Sequence, residues 1–203
     1  MGYGMVNVPN NPEIVSSTIY GFHINGYESD PSEAVTYLED AVGMTPAYMD
    51  FTNSTFVWGS WENAFFMPRP CMLKFDGTVD YYLDPDDYSK KANGTASDVA
   101  NTEYGGNAMM EWGRDGKKIW YKIVPGSDPV NCSVYIADRK IDDDYRAWSF
   151  INNEGDMVDH FYTPIYNGWK DDSDRMRSLS GQTLTASLTA TQERTYCRNN
   201  NTS

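Results

Sequence analysis

The sequence predicts an α+β protein that is β-rich and loop-rich, built from antiparallel hairpins and a meander, with few short helices. Aromatic residues make up 14% of the 203 residues, and 40% of the chain is hydrophobic. Aromatic and β-branched residues favour strands, and this composition is unlike that of disordered chains, which contain few aromatics. A chain of this length can bury one sizeable core or two small ones without disulfides or metals.

The N-terminal region divides into an arm and a β-rich part. Residues 1–15 are polar and contain prolines, which indicates an arm or a linker. Residues 16–107 are predicted to form an N-terminal β-rich region, whose first strand lies in VSSTIYGFHI and ends at an Asn25-Gly26 turn. For residues 31–38 two interpretations stay open, a helical turn that begins at a proline and an extended segment.

Three further stretches of this region have distinct patterns. Residues 45–70 contain many aromatics without a regular period, which favours an irregular, buried packing layer over a ligand platform. CMLKFDGTVDYYL, residues 71–83, predicts a hairpin with a two-residue turn at Asp76-Gly77. Residues 89–107 are small, polar and rich in turn formers, so we expect a long surface excursion there.

The C-terminal region, residues 108–203, begins with three short apolar segments, AMMEW, KKIWYKIV and NCSVYIA. We expect these segments to form a three-stranded antiparallel meander. FYTPIYNGW, residues 161–169, is aromatic and interrupted by proline, so it predicts an edge strand or an irregular segment. Residues 185–198 have a helical pattern, and the T-x-x-Q frame that begins at Thr189 is typical of a capping box.

The formal net charge of −13 argues against several classes of partner. Asp and Glu number 29 against 16 Lys and Arg, so the chain lacks the basic patches that bind nucleic acid or anionic membranes. Because no apolar run reaches about 18 residues, we expect no membrane insertion. The N-terminal sequence has neither the basic nor the apolar segment of a signal peptide, and we expect none.

One of the acidic turns of the chain is a candidate for a calcium site. Asp171, Asp172 and Asp174 lie close together in the sequence, and Asn167 is near them. Ca²⁺ takes carboxylate and amide oxygens from loops of this kind, although no acidic group of the chain fits an EF-hand. Two interpretations therefore stay open, a solvated acidic turn and a Ca²⁺ site.

The sequence contains no motif that indicates catalysis. With 29 acidic residues, a carboxylate pair at the separation used in glycoside hydrolysis arises by chance, so acidity alone carries no information. The nucleophile elbow G-x-S-x-G and the phosphate-binding G-x-x-x-x-G-K-[ST] are absent. Tyr, Trp, Asn, Ser and Gly are the residue types that recognition surfaces use. We therefore predict a binding or structural protein rather than an enzyme.

The order of several sequence boxes resembles a group of tailed-phage and prophage proteins. In chain order the boxes are IYGFHINGYESDPSEAVTYLEDAVGMTPA, PRPCMLKFDGTVDYYLDPDDY, NGTASDV, YGGNAMMEW, FYTPIYNG and MRSLSGQTLTAS. Together they extend over about residues 19–200, nearly the whole chain. Several boxes in a fixed order make the resemblance more specific than any single box would.

The resemblance implies a virion protein of the tail or fibre region, made in the cytoplasm of a bacterial host. It also implies that residues 108–203 form part of a C-type-lectin-like (formylglycine-generating-enzyme-like) fold. Members of the group usually continue into a Trp- and Gly-rich half, so we expect this lectin-like portion to be incomplete at its C-terminus. A homo-oligomer stays open, since phage fibres are commonly trimeric, but no coiled-coil heptad is visible.

Two functions follow from the resemblance and stay open. The chain binds a host surface ligand, for which a glycan is one candidate, or it docks onto other virion proteins without contacting the host. If it binds a ligand, the candidate residues are exposed rings and amides of the late irregular segment. These residues are Tyr162, Tyr166, Asn167 and Trp169. The same segment is equally compatible with a buried edge of the core.

Overall fold

The computed structural model describes residues 16–201, and the predicted arm at residues 1–15 lies outside the described residues. Two four-stranded antiparallel sheets and two short hairpins make up the fold. Strands account for 34% of the structure and helices for 13%, which confirms the β-rich part of the predicted fold class. Within residues 16–201, no helix is long and apolar enough to cross a membrane.

Twelve strands and two α-helices follow one another along the described chain. The strands are β1 (Ile19–Asn25), β2 (Val35–Glu39), β3 (Tyr48–Asp50), β4 (Thr55–Val57), β5 (Arg69–Lys74), β6 (Val79–Tyr82), β7 (Gly106–Trp112), β8 (Trp120–Pro125), β9 (Asn131–Ala137), β10 (Phe161–Pro164), β11 (Trp169–Lys170) and β12 (Met176–Arg177). The α-helices are α1 (Pro31–Ala34) and α2 (Ala190–Arg198). Short 3₁₀ turns occur at Gly59–Trp61, Arg114–Gly116, Trp148–Phe150 and Asn199–Asn201.

Sheet 1 has the strand order β2-β1-β9-β8 and packs on an aromatic layer. The rings of Tyr20 and Phe22 on β1 lie 5.2 and 5.6 Å from the ring of Trp61, measured between centroids. The second half of the stretch at residues 45–70 is thus an irregular buried layer, as predicted. The prediction is wrong for the first half, where these apolar side chains are exposed: Tyr48, Met49, Phe51, Phe56 and Trp58.

Sheet 2 has the strand order β10-β7-β5-β6 and holds the second core. The predicted hairpin is confirmed as β5 and β6, although four residues rather than two separate its strands. β5 and β7 approach each other closely, since a Cβ at Gly106 would lie 2.1 Å from the carbonyl oxygen of Leu73. One face of the sheet covers a cluster of buried side chains, namely Met72, Leu83, Val99, Ala108 and Leu179.

The predicted three-stranded meander is wrong in its first strand. β7 pairs with β5 and β10 in sheet 2, whereas β8 and β9 form a hairpin in sheet 1. The chain changes direction at Gly113, whose φ of 106° lies in the left-handed region that glycine adopts at low cost. Apolar alternation predicted the three strands, but it does not determine which sheet each strand joins.

The remaining expectations have mixed outcomes. Residues 31–38 contain both structures that the sequence left open, because α1 leads directly into β2.

The proline-interrupted segment, residues 161–169, contains an edge strand, β10, as predicted. The predicted C-terminal helix is α2, and Thr189 caps it in a full capping box with Gln192. The sequence predicts a boundary after residue 107, and each sheet contains strands from both sides of that position.

Arg177 ties the C-terminal segment to sheet 2. Its buried guanidinium donates from Nη1 to Asp171 Oδ2 at 3.1 Å and from Nε to Asn107 Oδ1 at 3.3 Å. Nη2 donates to the carbonyl oxygens of Tyr104 and Gly106 at 2.7 and 2.8 Å. These five residues are called the Arg177 network below. Since the network satisfies the buried charge on all three nitrogens, it fixes β12 against the start of β7.

We expect Arg177→Met to lower the free energy of unfolding by about 3 kcal/mol, because the buried Asp171 would lose one of its two cationic partners. The exposed ion pair between Lys140 and Asp143, with 2.6 Å between Nζ and Oδ1, supplies the control. Lys140→Met is expected to cost less than about 1 kcal/mol. Urea unfolding of both variants measures the difference, and equal losses would contradict a structural role for the network.

Candidate functional site

A cleft of about 510 Å³ opens on the second face of sheet 2, between the sheet and α2. A volume of this size is typical of pockets that hold a small ligand. Its lining is mainly apolar, with a few polar side chains from several segments. The apolar members are Leu73, Phe75, Met109, Pro164, Met176 and Leu184, and the polar members include Lys74, Asn107, Thr185, Glu193 and Asn200.

The floor of the cleft follows from the two-residue period of the strands. Leu73 pairs with Asn107 across β5 and β7, and Met109 pairs with Pro164 across β7 and β10. Directly paired residues lie on the same face of a sheet. Met72 and Ala108, one position along each strand, therefore point to the opposite face and into the core. The same two strands thus supply the core on one face and the cleft on the other.

Phe75 provides an aromatic ring at the end of β5. The guanidinium carbons of Arg175 and Arg177 lie 4.4 and 4.9 Å from its ring centroid, within the range of a cation–π interaction. Its backbone N–H donates to the carbonyl oxygen of Gly105 at 3.0 Å. Backbone and ring are therefore both held, and Phe75 is a fixed part of the cleft.

The far wall consists of α2 and the segment that leads to it. Glu193 and Asn200 line the cleft on this side, although α2 buries no residue. Asn200 Nδ2 donates to the carbonyl oxygen of Met176 at 2.8 Å, while its Oδ1 is buried without a partner. At the rim, Thr185 Oγ1 accepts a hydrogen bond from the backbone N–H of Lys170 at 2.7 Å. A few polar contacts rather than apolar packing hold this wall in place.

The four predicted ligand residues lie beside the cleft rather than in its lining. Tyr166 and Trp169 are half-buried and pack against the core of sheet 2, and the Nε1 of Trp169 is buried without a partner. Tyr162 is half-buried, and Asn167 is exposed. Pro164 and Gly168, from the same segment, do line the cleft. A binding role for the four residues stays a prediction.

Tyr162 belongs to a buried polar cluster that the sequence analysis missed. Glu111 is almost fully buried and accepts hydrogen bonds from Arg69 Nη2 at 2.7 Å, Tyr82 Oη at 3.0 Å and Tyr162 Oη at 3.2 Å. Burial and the nearby Glu111 carboxylate raise the pKa of Tyr162. The neighbouring Cys71 has a pKa of about 12, raised mainly by burial, so its thiol stays protonated. This cluster continues the cleft face of sheet 2 towards β10.

The three candidate calcium ligands have separate surroundings. Asp171 is buried, and its Oδ2 accepts from Arg175 Nε and Arg177 Nη1, each at 3.1 Å. Asp174 Oδ1 accepts from Lys170 Nζ at 2.7 Å, and Asp172 is exposed. Among the described residues, no group of three His, Cys, Asp or Glu side chains is placed to hold a metal ion. Calcium binding stays a prediction, and an ion there would compete with the cationic side chains.

The residues that build the cleft carried only a weak signal in the sequence. Leu73 and Met109 lie in predicted strands, but the period of two assigns residues to alternating faces without saying which face becomes a site. Leu184 and Glu193 belong to the segment that follows the Arg177 network, and long-range polar contacts place this segment beside sheet 2. No family model, no curated protein and no solved structure matches this chain.

The pH dependence of stability tests the role of Asp171. Hydrogen bonds from the Arg175 backbone N–H and from the Arg177 and Arg175 side chains outweigh burial and lower the pKa of Asp171 below its ordinary 3.8. A lowered pKa stabilises the folded state above the unfolded pKa, and this stabilisation is lost as the pH falls through the folded pKa.

We therefore expect Asp171→Asn to destabilise the protein by about 3 kcal/mol or more at pH 7, since Arg177 stays buried and unpaired. The difference in the free energy of unfolding between the wild type and this variant should stay constant down to about pH 4 and become smaller at lower pH. Urea unfolding at several pH values measures this difference. A difference that does not change with pH would contradict a charged Asp171 in the folded state.

Proposed function

We propose that the chain is a binding protein of a tailed-phage virion and that its cleft takes a host surface glycan. The observation that carries this proposal is the composition of the cleft, in which a fixed aromatic ring and aliphatic walls adjoin amide, hydroxyl and carboxylate groups. Such a site suits a neutral ligand that has apolar faces and many hydroxyls. The apolar face of a sugar ring can pack on the aromatic and aliphatic side chains, while the sugar hydroxyls form hydrogen bonds with the polar groups.

The charges around the cleft also favour a neutral ligand. Four of the five N–H groups of Arg177 donate within the Arg177 network, and its charge is paired with Asp171, so little of this guanidinium is left for an anion. Lys74 forms an ion pair with Asp80, with 3.0 Å between Nζ and Oδ1. Glu193 adds a negative charge to the wall of an already acidic protein. An anionic ligand would therefore meet paired cations and a carboxylate.

Two side chains with nucleophilic atoms near the cleft, Ser178 and Cys71, are held in ways that favour binding over catalysis. Ser178 Oγ donates to the carbonyl oxygen of Ala108 at 2.8 Å and accepts from the Tyr166 N–H at 3.0 Å. A general base would have to displace the first bond, and the second occupies an oxygen lone pair that a nucleophilic attack would need. The Cys71 thiol is buried and protonated at neutral pH. The proposal therefore assigns no catalytic residue.

The proposal also covers the finer features that the resemblance implies. We assign the part of the chain from residue 108 onwards to a C-type-lectin-like portion, and we place the protein in the virion tail or fibre. The alternative function, docking onto other virion proteins without host contact, is distinguished by what the protein binds. If the chain binds the host, the purified protein adheres to intact host cells. If it only docks onto other virion proteins, the purified protein binds to virions from which this protein is missing and does not bind to cells.

We expect Leu184→Ala to weaken glycan binding roughly tenfold, because it removes apolar contact at the rim of the cleft. Leu184 is 55% exposed, so the substitution leaves the core intact. Ile123→Ala is the matched control, since Ile123 is 57% exposed but lies on sheet 1. An array of bacterial surface oligosaccharides identifies a bound glycan, and titration calorimetry then compares the wild type with both variants.

Cys197 provides a second measurement on the same cleft. It is exposed and lines the cleft, whereas Cys71 is buried and Cys132 is half-buried. A bulky maleimide on Cys197 should abolish binding of the identified glycan, and Cys197→Ser should restore binding after the same treatment. If the folded wild type binds no oligosaccharide and no cells, or if Leu184→Ala and Ile123→Ala bind equally well, the proposal is wrong.

A further inference from the structure

We propose that the hairpin of β3 and β4 is a self-association surface through which two copies of this chain form a symmetric dimer. This inference is independent of the proposed function and rests on a different part of the molecule. The hairpin comprises residues 48–58, whose two strands pair only with each other.

One face of the hairpin is apolar and open to solvent. Met49 pairs with Phe56 across the two strands, so both side chains lie on the same face, and Phe51 and Trp58 directly follow β3 and β4. The exposed fractions are 41% for Met49, 85% for Phe51, 50% for Phe56 and 44% for Trp58. The rings of Phe56 and Trp58 contact each other edge-to-face, with 4.7 Å between their centroids. Phe56 and Trp58 thus form an exposed aromatic pair, with Met49 beside Phe56 and the exposed Phe51 at the adjoining turn.

The hairpin is attached rigidly at its base and is therefore not a loose loop. Thr45 N donates to Ser60 Oγ at 2.9 Å, and Ser60 N donates to the carbonyl oxygen of Thr45 at 3.2 Å. Gly59, with a φ of 60°, lies so close to this point that a Cβ would be 2.6 Å from the Pro46 carbonyl oxygen. A fixed base presents the patch in one orientation.

The amount of apolar surface is what a small dimer needs. An aromatic side chain has about 200 Å² to bury, so the four exposed fractions correspond to about 450 Å² on each copy. Two such patches that pack face to face bury about 900 Å², and a rim of neighbouring side chains brings the total to about 1,000 Å². Isolated two-stranded hairpins have marginal stability, and a second hairpin packed on the apolar face would stabilise both.

The charge distribution favours a second copy over a membrane. Asp50 is the only charged residue between positions 41 and 61, and its carboxylate accepts hydrogen bonds from the turn that follows it, from Thr52 N and Asn53 Nδ2. The rest of the chain carries the net charge of −13, which repels anionic lipid. Two copies repel each other elsewhere, so the nearly uncharged hairpin is the face that they can share.

Sedimentation velocity of the full chain, at concentrations from about 1 to 200 μM, tests the proposal. We expect a reversible monomer–dimer equilibrium with a Kd on the order of 10 μM, as befits an interface of this size. Added salt should strengthen the dimer, because it screens the repulsion between two acidic bodies. The double variant Phe51→Ser/Phe56→Ser should weaken the dimer at least tenfold.

The matched control is Tyr27→Ser/Ile123→Ser, which removes two side chains of similar exposure, 72% and 57%, outside the hairpin. It should dimerise like the wild type, and circular dichroism should show that both double variants are folded. A wild type that stays monomeric at every concentration and salt would overturn the proposal. Normal dimerisation of the Phe51→Ser/Phe56→Ser variant would also overturn it. A third contrary result is a monomeric wild type that binds phosphatidylcholine vesicles through the hairpin, so that the hairpin variant loses this binding.

Discussion

The buried ion pair between Asp171 and Arg177 is the interaction on which the C-terminal part of the structure depends. A buried charge is tolerated only when it is paired and hydrogen-bonded. Both residues belong to the β11–β12 hairpin, and the other donors of Arg177 join this hairpin to the start of β7, through Asn107 and two backbone carbonyls. α2 has no buried residue, so it depends on this attachment and on the polar contacts of the residues after it.

This arrangement explains why the candidate site lies where it does. β5 and β7 bury one face in the core, and their other face forms a strip that runs from the buried Glu111 cluster to the half-buried Phe75. The C-terminal segment covers one end of that strip, and the space left beneath α2 is the cleft. Arg177 has two roles in this region, since its guanidinium both closes the network and packs on the ring of Phe75. The shape of the cleft and the stability of the fold are therefore coupled.

Local features were predictable from the sequence, and long-range ones were not. The β5–β6 hairpin and the capping box of α2 depend on neighbouring residues, and both were predicted with nearly correct positions. The meander was wrong because the choice of sheet for β7 depends on partners far along the chain. The exposure of Phe51 and Trp58 could not be read from composition, since a buried and an exposed aromatic hairpin have the same sequence pattern. The cleft was missed for the same reason, because its walls come from segments about 100 residues apart.

Native-state hydrogen exchange tests most directly whether the Arg177 network fixes the C-terminal segment on sheet 2. Three backbone N–H groups join the two parts: Ala108 donates to the Ser178 carbonyl at 2.8 Å, Ser178 to Asn107 Oδ1 at 2.9 Å, and Ser180 to the Val99 carbonyl at 2.8 Å. We expect these protons to exchange only through global unfolding, with the same free energy as protons of the β5–β7 ladder. Exchange through local opening, at a much lower free energy than that ladder, would contradict the account.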